Sequence, residues 1–182
     1  MKYLTIALTL LGLTACATYH VPDSVTLYSN KTWVIMPMQN HSNTVLAAEK
    51  VERILRAQLY KKGVNAELYP AMENNDLASI LDTSIKQNHA KDWLLQQNAD
   101  YIITGSIEEW HYKSGLDGEP AVGISLEIIS ADKQTVYWRA TGSRSGWGRE
   151  SVSRTGHIVL ETLLDGIDIE QLPEPTSSSD PE

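Results

Sequence analysis

The sequence contains one cysteine, Cys16, among its 182 residues, which excludes a disulfide within the chain. It also lacks a run of about 20 apolar residues, the length that a transmembrane helix needs. Its 15 basic residues are outnumbered by 23 acidic residues, for a formal net charge of −8. A chain with a net negative charge lacks the basic surface that nucleic acid binding requires. These absences predict a domain stabilised by a packed core and exclude nucleic acid as the expected partner.

The motifs of the common enzyme classes are missing as well. The glycine-rich stretch from Gly142 to Gly148 has no Lys-Ser/Thr pair of a P-loop, and no serine stands in a Gly-x-Ser-x-Gly elbow. Glu108 and Glu109 are adjacent in a predicted strand, so we expect them on opposite faces, where they cannot share a substrate proton. We therefore expect a binding or assembly protein, not an enzyme, without cofactor or metal. The histidines have no paired metal-ligand spacing: His20, His41, His89, His111 and His157.

The N-terminal segment has the features of a secretory signal peptide: a basic residue, an apolar run from Leu4 to Leu13 and small residues before Cys16. The four residues Leu-Thr-Ala-Cys that end at Cys16 resemble the lipobox of bacterial lipoproteins. This resemblance implies a cleaved signal peptide over residues 1–15 and an acylated Cys16; an ordinary signal peptide with a chance cysteine is the alternative. Because Ala17, not Asp, follows, the sorting rule of Gram-negative lipoproteins implies the outer membrane, facing the periplasm.

The hydrophobic pattern predicts one α/β (α+β) domain over residues 31–167. The predicted order is β-α-β-α-β-β-β-α, and a single mixed sheet of about five strands should be flanked by the helices. The first three strands should be parallel because helices separate them, and the last three should form an antiparallel meander. Strands are predicted at 31–38, 64–69, 101–112, 121–130 and 135–142, and helices at 44–62, 77–98 (in two pieces) and 150–164.

The segments on either side of this domain show no pattern of buried residues. Residues 16–30 are expected to be the lipidated cysteine and a tether that spans at most about 50 Å. Residues 168–182 are rich in proline, serine and acids and are expected to form a disordered tail. Within the domain, Ser42 or Asn43 should cap the first helix, and Gly63 should end it.

Two segments resemble the PelC family, outer-membrane lipoproteins of the Pel exopolysaccharide secretion system. They are EWHYKSGLDGEPAVG, from Glu109 to Gly123, and SGWGRES, from Ser145 to Ser151. The resemblance covers the domain from Trp33 to the last helix. It implies a homo-oligomeric ring, a dodecamer, beneath a PelB-like outer-membrane barrel/TPR protein, where an acidic lumen guides a cationic polysaccharide. The order of strands and helices also resembles the wider group of lipoproteins with a TolB N-terminal-like fold, including LpoB and CsgG.

Four acidic residues are candidates for the lumen that this resemblance implies. Asp117 and Glu119 are favoured because a loop can project them, and Glu108 and Glu109 flank the same loop. Repeated in every subunit, such charges would add to one field in the ring. The alternative is an acidic loop that is only solvated.

Trp147 stands between two glycines and is the candidate for a contact with the membrane interface, where tryptophan is favoured. The alternative interpretation is that the indole ring of Trp147 folds back over the edge of the sheet. Arg139, Arg144 and Arg149 are expected to make subunit contacts or to pair with acids.

Three other functions fit parts of the sequence. An LpoB-like activator of a peptidoglycan synthase would need a long disordered stalk between lipid and domain. A CsgG-like envelope assembly factor would share the wider fold. A carrier of lipids or small molecules would need a large apolar cavity.

Overall fold

The structure, a computed structural model, describes residues 16–70, 83–115, 118–132 and 135–172. The predicted signal peptide, residues 77–82 of the predicted second helical region, and residues 173–182 of the predicted tail lie outside these ranges. The described elements are β1 Ala17–His20, β2 Val25–Tyr28, β3 Trp33–Ile35, β4 Gln39–Asn40, α1 Ala47–Lys61, β5 Glu67–Leu68, α2 Thr83–Leu94, β6 Tyr101–Tyr112, β7 Pro120–Ser130, β8 Val136–Ser145, α3 Val152–Leu164 and β9 Ile167–Glu170.

A mixed sheet of seven strands is the frame of the domain. Its order is β1-β8-β7-β6-β3-β5, and β4 pairs with β6 beside β3. β3 runs parallel to β5 and β6, whereas β6, β7 and β8 form an antiparallel meander. The predicted α/β class, the mixed sheet and the direction of its strands are therefore confirmed. The expected count of about five was too low, partly because β4 forms after the first predicted strand at 31–38 and β1 forms in the predicted tether.

Both segments that were expected outside the domain contain strands. In the predicted tether, β1 pairs antiparallel with β8, and Ala17 lies opposite Arg144. β2, from the same segment, pairs in parallel with β9, which includes the first three residues of the predicted tail. These strands have four residues each, which is too short for a clear apolar periodicity in the sequence. β1 is mostly solvent-exposed, whereas β2 and β9 each bury one residue, Leu27 and Ile167.

Two helices cover one face of the sheet. The apolar side of α1 includes Val51, Leu55 and Leu59, and α3 contributes Val159 and Leu160 to the same core. On the opposite face, α2 packs over β3 and the first half of β6, where its residues contact a smaller apolar cluster. The remainder of this second face is formed by β1, β8, β7 and the second half of β6. No helix within the described ranges covers it.

The start of α1 differs from the predicted one. The N-cap is Leu46, in a left-handed conformation with φ 61° and no side-chain cap. Ser42 is engaged elsewhere, because its N–H and its hydroxyl both donate to Asn40 Oδ1, at 3.1 and 2.7 Å. Helix α1 therefore begins at Ala47, after this turn. Gly63, with φ 87°, follows the helix end as predicted.

Helix α3 approaches the sheet closely at Gly156. A Cβ at this position would lie 2.5 Å from Cζ3 of Trp110, whose indole is buried in the core. The glycine thus lets the helix backbone lie against the six-membered ring of the indole.

We expect Gly156→Ala to destabilise the fold. Alanine favours a helix over glycine by about 1 kcal/mol, but overpacking a core costs about 1–3 kcal/mol. A net loss of about 1 kcal/mol should lower the midpoint of thermal unfolding. Gly115→Ala is the matched control, since a Cβ there meets nothing within 4 Å. An equal midpoint for the two variants would contradict this packing argument.

Candidate functional site

Cys16 lies at one end of the sheet, directly before β1. Its backbone carbonyl accepts a hydrogen bond of 3.0 Å from the Ser145 N–H, and its side chain is exposed. Because β1 begins at the next residue, the structure leaves no spacer between the cysteine and the sheet. A group carried on the thiol would be held directly against this end of the domain.

Several other elements end beside Cys16. Tyr112, the last residue of β6, pairs with Pro120, the first residue of β7. The carbonyl of Pro120 accepts a hydrogen bond of 2.8 Å from the Gly146 N–H, just after β8. We call this part of the surface the Cys16 end. In the described residues there is no helix that is both long enough and apolar enough to cross a membrane.

Trp147 projects from the Cys16 end, with 58 % of its surface exposed. Its N–H donates to Glu150 Oε2 at 3.3 Å, and its carbonyl accepts from the Glu150 N–H at 2.7 Å. A Cβ at Gly146 would lie 2.6 Å from Glu150 Oε2 and 2.8 Å from Thr155 Oγ1, so close packing requires this glycine. The exposed ring has the position that a membrane-interface residue needs, and that role stays a prediction.

The turn that carries Trp147 is held by a largely buried ion pair. Arg144 Nη1 donates to Glu150 Oε1 at 2.9 Å, and the two side chains are only 15 % and 10 % exposed. Arg154 adds a longer contact of 3.5 Å to the same oxygen. Burial opposes ionisation of Glu150 and by itself would raise its pKa. This effect is outweighed by hydrogen bonds from Arg144 and the Trp147 N–H and by the charges of Arg144 and Arg154. The pKa of Glu150 is therefore lowered.

The three arginines considered above have different surroundings. Arg144 is used within the protomer, as the acid pairing that was one of its two expected roles. Arg139 also pairs with an acid, Glu127, at 2.7 Å, although its side chain is 67 % exposed. Arg149 is exposed and has no ion pair with the described residues, so it remains available for a subunit contact.

A β-bulge brings Glu108 and Glu109 to the same face of the sheet. Ile107 lies opposite Ile124 and Glu109 opposite Gly123, which leaves Glu108 as the extra residue. A Cβ at Gly123 would lie 3.5 and 3.6 Å from the Cβ atoms of Glu108 and Glu109. The prediction that these acids point to opposite faces was wrong, because the bulge interrupts the alternation on which it rested.

The two acids line an open groove of about 420 Å³ on the uncovered face of the sheet. Ser106 Oγ donates to Glu108 Oε1 at 2.6 Å and orients that carboxylate. The groove presents carboxylates and hydroxyls together, which can bind ammonium and hydroxyl groups of a ligand. We call it the polar groove. Its polar lining includes Thr18, His20, Glu108, Glu109, Thr141 and Ser143.

The other two acidic candidates lie elsewhere or outside the described ranges. Glu119 is half-buried next to Pro120 at the Cys16 end, and its carbonyl accepts a hydrogen bond of 2.7 Å from the Lys113 N–H. It does not line the polar groove. Asp117 lies outside the described residues. Of the three described acids, Glu119 therefore lies apart from Glu108 and Glu109.

A buried acid was not among the candidates from the sequence. Glu52 is 4 % exposed, and its Oε1 accepts a hydrogen bond of 2.9 Å from the Met38 N–H. Burial raises the pKa of Glu52. The charge of Lys86, whose Nζ lies 3.9 Å from Oε2, and the hydrogen bond from Met38 oppose this rise only in part. Glu52 thereby ties the segment between β3 and β4 to α1 and α2. Among the described side chains, no group of three His, Cys, Asp or Glu could hold a metal ion.

The chain is similar to solved structures of PelC from Paraburkholderia phytofirmans. One PelC dodecamer matches with a TM-score of 0.69 and 28 % identity, over 83 % of this chain and 96 % of that one. A methionine variant of that dodecamer matches with a TM-score of 0.71 and 28 % identity, over 85 % and 100 %. The resemblance to PelC is therefore confirmed.

A more distant likeness shows the fold alone. Lipoprotein GNA1162 from Neisseria meningitidis matches with a TM-score of 0.51 and 14 % identity, over 74 % of this chain and 96 % of that one. No protein-family model matches the chain, and no curated protein does.

The ion pair at the Cys16 end gives a pH-dependent prediction. Because the pKa of Glu150 is lowered from 4.5, the pair stabilises the fold above about pH 4.5 and loses this effect as the pH falls through the lowered pKa. Glu150→Gln should therefore cost about 2 kcal/mol at pH 7, where it leaves Arg144 without its acid. The difference from the wild type should shrink as the pH falls below 4.5.

The control for this variant is Glu161→Gln, which breaks an exposed pair with Lys61. Exposed pairs contribute little, so its unfolding curve should follow the wild type at each pH. Chemical unfolding monitored at pH 7 and at pH 3 measures both variants. A loss for Glu150→Gln that is the same at the two pH values would show that the ion pair is not its cause.

Proposed function

We propose that the chain is a PelC-like lipoprotein, acylated on Cys16 and held beneath the outer membrane with its Cys16 end against the inner leaflet. The exposed thiol at the end of the sheet supports this orientation, because acyl chains there would reach lipid without a spacer. Two or more acyl chains give stable anchoring without a transmembrane helix. Trp147, exposed at the same end, would then lie in the interfacial layer that tryptophan prefers.

The anchored protein assembles into a closed homo-oligomeric ring. The observation that supports this is the likeness to a PelC dodecamer over most of both chains. A closed ring needs two different, complementary patches on each subunit. Among the described strands the sheet ends at β1 and β5, and such edges offer backbone groups for pairing between subunits. Arg139 and Arg149 are exposed and can add charged contacts.

The ring guides a cationic polysaccharide towards a PelB-like outer-membrane barrel, without a catalytic step. The polar groove supports this part of the proposal, because Glu108 and Glu109 lie side by side among hydroxyl groups. Repetition of the groove around a ring would multiply its attraction for a positively charged polymer. Asp117 and Glu119 are the second set of lumen candidates, and of these two Glu119 lies at the Cys16 end.

A stalked activator of a peptidoglycan synthase is less well supported. Such a protein must extend far from its lipid anchor, whereas β1 begins one residue after Cys16. The pairing of β1 with β8 would have to break before any stalk could form.

Ring assembly is tested by the mass of the native protein extracted in detergent. Native mass spectrometry or light scattering should give one species at a multiple of the monomer mass, twelvefold if the ring matches the PelC dodecamer. Removal of the lipid should weaken assembly, since the membrane raises the effective concentration of the subunits. Only monomer, both in detergent extracts and in concentrated lipid-free protein, would rule out the ring.

The polar groove is tested by Glu108→Gln combined with Glu109→Gln, which removes two charges and keeps the shape. We expect weaker binding of a cationic oligosaccharide, above all at low salt, where charges are least screened. Polymer export should fall, and the mass of the assembly should stay the same. The control is Glu161→Gln with Asp165→Asn, which removes two charges at the end of α3.

A comparison variant separates the two sets of acids. If Asp117→Asn with Glu119→Gln impairs export and the groove variant does not, the polymer contacts the loop at the Cys16 end. Normal export by both double variants would refute an acidic passage.

A further inference from the structure

The loop before α1 presents two adjacent aliphatic side chains to solvent. Val45 is 62 % exposed and Leu46 is 44 % exposed. Leu46 also has φ 61°, a left-handed conformation that a residue with a Cβ adopts only at a cost. Burial in the core does not account for a strained leucine whose side chain remains in solvent.

Hydrogen bonds fix this loop against β6. Asn40 Nδ2 donates to the Thr44 carbonyl at 2.9 Å. The Thr44 hydroxyl donates to the carbonyl of Trp110, near the end of β6. The carbonyl of Leu46 accepts the Lys50 N–H at 3.2 Å, in the first turn of the helix. Val45 and Leu46 are therefore held in place, and we call these two residues the aliphatic tip.

The strand register places the aliphatic tip at the Cys16 end. Trp110 lies opposite Val122, Val122 opposite Arg144, and Arg144 opposite Ala17. Neighbouring strands are about 4.8 Å apart, so this row crosses about 14 Å from β6 to β1. Thr44 contacts the β6 side of the row, and Cys16 adjoins its β1 side.

Two exposed aromatic residues belong to the same end. Tyr112 ends β6 and is 53 % exposed, and Trp147 follows β8 and is 58 % exposed. The Cys16 end thus carries exposed aromatic residues as well as the aliphatic tip and the cysteine.

We propose that Val45 and Leu46 form a second membrane contact, which inserts into the same lipid leaflet as the acyl chains on Cys16. This inference rests on the proposed function, because it assumes the acylated cysteine. A single anchor leaves a domain free to swivel about one point. A second contact on the other side of the sheet fixes the tilt of the domain and hence the direction in which the polar groove faces.

The chain allows a direct test, because Cys16 is its only cysteine. Once Cys16 is acylated, the mature protein has no free thiol, and Val45→Cys introduces a single reactive one. This variant is labelled with a polarity-sensitive fluorophore and reconstituted in vesicles of phosphatidylethanolamine and phosphatidylglycerol. We expect a blue-shifted emission and quenching by lipids that carry a nitroxide near the headgroup.

Leu95→Cys is the matched control. Leu95 is 82 % exposed and follows α2, shortly before the start of β6. The twelve residues of β6 separate this end from the Cys16 end by about 36 Å, at about 3.3 Å per residue. Its label should emit as in water and resist quenching.

The outcomes distinguish this inference from the proposed function. In one outcome, the parent protein takes up no thiol reagent, and the label at position 45 emits as it does in water. This result would overturn the second contact and leave the anchor intact. Labelling of the parent protein would show that Cys16 is free and would overturn both. Equal quenching at positions 45 and 95 would indicate adsorption of the whole surface and would also overturn the inference.

Leu46→Asn separates a membrane role from a structural one. Asparagine tolerates the left-handed conformation better than leucine does, so the midpoint of thermal unfolding should not fall. In the Val45→Cys background, however, the polar side chain should reduce the quenching of the label. A clear loss of thermal stability would show that Leu46 supports the fold and would count against the inference.

Discussion

The hydrogen-bonded ladder of β6, β7 and β8 determines where the candidate functional groups lie. Alternation along these strands directs side chains such as Ile107, Ile124 and Leu126 towards α1 and α3, where they are buried. The same alternation directs Ser125, Glu127 and the hydroxyls of β8 to the uncovered face. A change of register by one residue would exchange these two sets. The core and the polar groove are therefore consequences of the same pairing.

The sequence predicted best the elements whose side chains alternate between core and solvent. The bounds of β6 match the predicted range, and β7 begins one residue before the predicted start. The strands β1, β2 and β9 could not be predicted in this way, because each has only four residues and is ordered by a partner distant in the chain. The start of α1 was also missed: neither Ser42 nor Asn43 caps it, and Asn40 accepts the hydroxyl hydrogen bond of Ser42.

The candidate groove shows a similar limit. The acidic residues could be identified from the sequence, but their grouping depends on one extra residue in β6 opposite Gly123. Without this bulge, strict alternation would have turned one of Glu108 and Glu109 into the core. No local signal for the bulge exists in the sequence alone, since a glycine within a strand indicates a close approach without specifying its partner.

The short distance between Cys16 and β1 would couple the proposed lipid anchor to the fold. A pull on the cysteine acts along β1, while the hydrogen bonds of an antiparallel ladder run perpendicular to the strands. The load is therefore shared by the four residue pairs between β1 and β8. Tyr19 reinforces this strand, because its ring lies over Gly142, where a Cβ would be 2.5 Å from Cδ1. If Cys16 is acylated as proposed, a short and mostly exposed edge strand would in this way transmit force from the lipid to the core without a flexible linker.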